Sequence, residues 1–101
     1  MSAKKKDPRR IELGGREMEL RFSVNSLCEV EARAGMPIDC LLDRQFSATR
    51  LLLWAGLRER HPELSLCDVG ELIGQYLRAG GTLDELVDVC AEGMREAGLL
   101  R

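Results

Sequence analysis

The chain has 101 residues, 45% of them apolar and 32% charged, and a formal charge of -2 at pH 7. That length suits one domain able to bury its own core, and the composition is neither low-complexity nor disordered. The near-balanced charge excludes the concentrated basic surface of a general nucleic-acid binder, and no apolar run approaches the roughly 18 residues of a membrane span.

Lys4, Lys5, Lys6, Arg9 and Arg10 form a basic arm broken by Asp7 and Pro8. Residues 1–8 read as a flexible, solvated arm ahead of a single domain over 9–101. No apolar stretch of signal length follows the arm, so the expectation is a cytoplasmic chain.

Over residues 9–23, apolar and polar side chains alternate around a glycine pair. Ile11 and Leu13 precede Gly14-Gly15, and Met18, Leu20 and Phe22 follow. Gly-Gly suits the positive-φ positions of a tight turn, so the segment predicts a β-hairpin with one apolar face. Two strands alone are marginal in water, so that face must cover the helices or meet a partner. The outer edge over residues 9–13 is the expected site for pairing with an added strand.

The helical part spans residues 25–98. Asn25 or Ser26 is the expected first cap, with Ser26 and Glu29 in capping-box register and Leu27, Val30 and Ala34 on one face; Gly35 ends that helix. Met36-Pro37 opens a short helical segment through Ile38, Leu41 and Leu42. Ser47 should cap the next helix, which runs to about Arg60 before Pro62. In that helix Leu51, Leu52, Leu53, Trp54, Ala55 and Leu57 point in nearly every direction, leaving narrow polar sectors for Thr49, Arg50 and Arg58. Such a segment must be enclosed by other elements.

Ser65 with Asp68 caps a helix whose apolar face holds Leu66, Val69, Ile73, Tyr76 and Leu77, while Gly70 and Gly74 suggest close approach of another backbone. After Gly80-Gly81, Thr82 and Glu85 form a further capping box for a helix over 82–97. Its stripe is Leu83, Leu86, Val87, Cys90, Ala91 and Met94. Asp84, Asp88, Glu92 and Glu96 recur every fourth residue on the opposite side, either as solvated surface or as a docking face for a basic partner.

These elements predict a mainly α chain with an N-terminal β-hairpin, an α+β arrangement in which four to five helices form a compact bundle around a central buried helix. The expected structural core includes Leu51, Trp54, Ala55, Leu57, Leu66, Ile73, Leu86 and Cys90.

No catalytic, cofactor-binding or metal site emerges from the spacing. Cys28, Cys40, Cys67 and Cys90 lie 12, 27 and 23 positions apart, without the close pairing of a zinc site; they read as small hydrophobes in a reducing compartment. His61, the single histidine, sits at a helix end beside Pro62, where it can meet unpaired carbonyls, and no flanking motif supplies a nucleophile. Gly14-Gly15 and Gly80-Gly81 lack the rest of a nucleotide loop. Residues 66–77 follow a turn as a recognition helix would, but Asp68, Glu71 and Gln75 suit phosphate poorly.

The chain resembles the small tail assembly chaperone and tail tube proteins of long-tailed bacteriophages and phage-derived gene transfer agents. The likeness runs from about Glu12 to Leu86. It is carried by Leu20-Arg21-Phe22, Asn25-Ser26-Leu27-Cys28-Glu29-Val30-Glu31, Leu51-Leu52-Leu53-Trp54-Ala55-Gly56-Leu57-Arg58 and His61-Pro62-Glu63-Leu64-Ser65-Leu66. The basic arm departs from the family's usual short start.

The resemblance implies a non-catalytic protein of virion morphogenesis in a bacterial host. It would act with the tape measure protein, and with the major tail tube protein, while tube subunits polymerise. The expected contacts are Met18, Leu20 and Phe22 on the hairpin, Leu41 and Leu42, and the acidic Asp84, Asp88 and Glu92. Self-association through the hairpin face is compatible with this role. Two alternatives remain at this point: a structural tail subunit, for whose tube wall a short hairpin offers little sheet, and a small nucleic-acid-associated regulator using the arm with Arg44, Arg50, Arg58 and Arg60.

Overall fold

The computed structural model describes residues 10–41 and 45–99. The expectations placed on the arm, on Leu42, on Arg44 and on the side chain of Leu41 lie outside what it describes. Two strands, β1 (Arg10–Leu13) and β2 (Arg16–Glu19), precede helices α1 (Val24–Ala34), α2 (Ile38–Leu41), α3 (Gln45–Leu57), α4 (Leu66–Arg78) and α5 (Leu83–Glu96). The result is a compact four-helix bundle, with α2 as a single added turn, carrying an antiparallel β-hairpin at its start.

Gly14 and Gly15 make the hairpin turn with φ of 60° and 79°, the two positive values that a type I′ turn requires. The register pairs Leu13 with Arg16, Ile11 with Met18, Glu12 with Glu17 and Arg10 with Glu19. Directly opposed residues share a face, so Ile11, Leu13 and Met18 turn toward the helices while the carboxylates stand outward. Glu12 faces Glu17, a repulsive pair that Arg10 offsets at 3.6 Å from Glu17.

Helix α3 is the centre expected from its all-round apolar surface. It packs against α1, α4, α5 and β2, and every residue from Leu51 to Leu57 is buried. It begins at Gln45, ahead of Ser47, so Ser47 is no cap, and its regular part ends at Leu57, before a turn that carries the chain to His61. Thr49 is buried, with its hydroxyl unpartnered among the described residues, where the sequence suggested a polar sector.

The capping boxes form at Ser65 with Asp68 and at Thr82 with Glu85. For α1 the cap is Ser23, two positions before the expected Asn25: its hydroxyl accepts from Ser26 N–H at 3.1 Å, and Ser26 Oγ accepts from Ser23 N–H at 2.7 Å. A serine here does the reciprocal work usually given to glutamate. Gly35 ends α1 with φ of 70°. The expected core is buried at Leu51, Trp54, Ala55, Leu57, Ile73, Leu86 and Cys90, whereas Leu66 is half-buried at its margin. Of the four thiols only Cys90 belongs to the core; Cys28, Cys40 and Cys67 are exposed, against the reading of all four as small hydrophobes.

The hairpin's exit segment is closely seated on two helices. A Cβ on Gly56 would lie 2.7 Å from the Phe22 ring and 2.9 Å from Leu20, and one on Gly93 would lie 3.0 Å from Phe22. Phe22 is thus seated between α3 and α5 because both helices carry glycine there, and Arg21 N–H donates to the Gly56 carbonyl at 2.8 Å. The close approach expected at Gly70 and Gly74 is absent, for their nearest neighbours are the side chains of Arg50 and Arg78.

Glu19 adds a polar clasp. Arg21 at 3.2 Å, Arg60 at 3.6 Å and Arg10 at 4.0 Å surround its carboxylate, tying the hairpin to the end of α3.

Candidate functional site

Met18, Leu20 and Phe22, expected as exposed contacts, are 2%, 0% and 8% exposed and belong to the chain's own core. Their alternation gave the correct face but could not say what covers it; here the cover is α3 and α5. Asp84, Asp88 and Glu92 do lie on the outer side of α5. Asp88 and Glu92 line a groove that Asp84 does not reach.

That groove has a volume of about 920 Å³ and is open to solvent. One wall is β1, through Arg10, Ile11 and Glu12; the other comes from the end of α4 and the outer face of α5, through Tyr76, Asp88 and Val89. β1 packs on the α4 side of the hairpin and β2 on the α3 side, which directs the free flank of β1 toward the groove. β1 pairs only with β2 among the described residues.

The opposite wall is held by one carboxylate. Glu85 Oε1 accepts from Thr82 N–H at 3.0 Å, closing the α5 cap, and from the Tyr76 hydroxyl at 2.7 Å, bracing α4. Tyr76 also lies flat against Gly81, where any side chain would collide with its ring. Burial, then the hydrogen bond to Glu85 and its negative charge, push the Tyr76 phenol up to about 12. These contacts join the end of α4 to the start of α5 at one wall of the groove.

Charge in the groove is one-sided. Among the described residues, Glu12, Glu17, Glu85, Asp88 and Glu92 line it with Arg10 as the one cation. Glu92 is paired with Arg95 at 2.6 Å, and Arg10 with Glu17 and Glu19. Glu12 and Asp88 have no cationic partner among the described residues. Sequence periodicity identified the α5 carboxylates and the β1 edge separately; nothing local to either segment could place them across one groove.

The other polar contacts join elements of the fold. His61 does not reach helix carbonyls with its ring; Nδ1 accepts from Arg16 at 3.2 Å, pinning the hairpin to the α3–α4 connection, while its backbone N–H donates to Leu57 at 2.7 Å. Trp54 is 7% exposed, with the guanidiniums of Arg33 and Arg58 at 4.5 and 4.7 Å from its ring centroid. Glu29 joins both arginines, at 3.4 and 3.9 Å. A buried indole beneath two cations gains both apolar burial and cation–π attraction. Among the described residues no group of three potential metal ligands converges, and no helix is long and apolar enough to cross a membrane.

No protein-family model, curated protein or solved structure gives a significant match to this chain.

Proposed function

We propose that this chain is a non-catalytic, phage-type tail assembly protein, a chaperone that engages the tape measure protein in the cytoplasm of a bacterial host and promotes tail tube assembly. The residues that carry the resemblance, Leu51 to Arg58 and His61 to Leu66, build the enclosed helix and its exit. That helix supports the outer elements without being a contact itself. The observation that carries the reading is the open groove between β1 and the α4–α5 pair, whose form suits a segment of another protein. Because Met18, Leu20 and Phe22 are used internally, contact with the tape measure protein passes to this groove.

The regulator reading rests on the arm and Arg44, which lie outside the described residues, and on Arg50, Arg58 and Arg60. Arg58 is engaged by Trp54 and Glu29, and Arg60 by Glu19. Co-expression with a tape measure protein of a long-tailed phage or gene transfer agent from the same genome tests the proposal. Retention of this chain through purification at micromolar concentration is expected, and failure of intact, soluble partners to associate overturns it. Detection in mature particles at ring-like copy number would instead make it a structural tail subunit.

A further inference from the structure

We propose that the groove receives an extended, lysine- or arginine-bearing segment of a partner protein, which adds to β1 as a third strand. This rests on reading the chain as a binding protein, and it names the chemistry of what is bound.

The first support is the backbone. A two-residue turn makes Leu13–Arg16 a hydrogen-bonded pair, and alternation makes Ile11–Met18 the next one. The N–H and C=O groups of Glu12 and Arg10 therefore point away from β2, toward the groove that both residues line. An edge of this kind is a template for strand addition unless it is blunted, and β1 carries neither a proline nor a bulge over its length.

The second support is the alternation of surfaces an added strand would meet. On its inner side lie the half-buried Ile11 and Val89. On its outer side stand Glu12 and Asp88, both without a cationic partner among the described residues. A strand presents successive side chains to opposite faces, so the matching segment alternates apolar with basic residues. The charge selects against acidic segments and speeds encounter, while main-chain hydrogen bonds supply affinity.

The test titrates the full chain with a labelled, end-capped peptide of alternating valine and lysine at low salt, followed by fluorescence anisotropy. Saturable binding is expected, with slowed amide exchange at Glu12. Asp88→Lys should weaken it by about tenfold. Glu12→Gln tests the charge alone. Glu12→Pro removes in addition the outward N–H, and is expected to weaken binding further while leaving the β1–β2 ladder intact. Should Glu12→Pro unfold the chain, an N-methylated peptide removes hydrogen bonds from the other side.

Absence of saturable binding, equal affinity for a valine–glutamate peptide, or indifference to both Asp88→Lys and peptide methylation would overturn the inference. So would self-association of the chain that the peptide fails to displace, because the edge would then belong to a second copy. If the peptide fails while the tape measure protein still co-purifies, the groove assignment falls and the assembly reading stands.

Discussion

Both strands of the hairpin pack one buried residue on the bundle, Leu13 from β1 and Met18 from β2, but their outer flanks differ. β2 and its exit segment are driven into the bundle, where Leu20 and Phe22 meet glycines on α3 and α5 with no room for a methyl group. β1, one turn away, borders an open groove of about 920 Å³. The hairpin is held through its inner face and its exit segment, and this leaves β1 as a sheet edge among the described residues. The closed side is thus what holds the open side in position.

The largest expected effect comes from removing the wedge. Phe22→Ala should destabilise the chain by about 3–5 kcal/mol, read by chemical denaturation, since the emptied seat lies between two helices that cannot both move in. If the loss is below about 1 kcal/mol, the closed side is not closed. Gly56→Ala approaches the same seat from the other direction and should cost about 1–3 kcal/mol, because its methyl group lands on the Phe22 ring. Pairing it with Phe22→Leu should recover part of the loss, which a purely helical propensity effect would not do.

Thr49→Val sharpens the contrast by improving the closed side. It removes a buried hydroxyl without a partner among the described residues, at nearly constant shape, and a gain of about 1 kcal/mol is expected. On the open side, Tyr76→Phe should cost about 1 kcal/mol by releasing Glu85. The same contact has a pH signature. The Tyr76 pKa rises from 10.0 to about 12 on folding, so its contribution is complete below pH 10 and fades as the pH climbs through 12, the unfolded chain losing its proton first. Tyr76 is the chain's single tyrosine, so tyrosinate absorbance follows it directly.

The smallest perturbation only reports. Cys28, Cys40 and Cys67 should react at once with a thiol reagent, while Cys90, 1% exposed and with its thiol pushed to about 12 by burial, should wait for unfolding. Early reaction of Cys90 would mean that α5, the far wall of the groove, opens readily.

What the sequence made legible was what short segments decide. The Gly-Gly turn, the capping boxes at Ser65 and Thr82 and the all-round burial of α3 depend on neighbours within a few residues, and they form as expected. The Ser23 cap was missed because serine at the third helical position stands in for the usual acid. Gly56 and Gly93 were silent because a glycine's reason for being small can lie on another element; Gly70 and Gly74 had a conspicuous spacing and no such reason. The groove was half visible. A bare strand edge and an acidic column could each be read, but that they border one groove depends on tertiary contacts that periodicity does not encode.

The seat of Phe22 also orders events during synthesis. The hairpin leaves the ribosome before the helices, yet its socket is incomplete until Gly93 has followed, so it cannot lock until α5 is made. Until then the nascent chain displays Leu20 and Phe22 to its surroundings, and the same two side chains that secure the finished molecule form a sticky patch on the unfinished one.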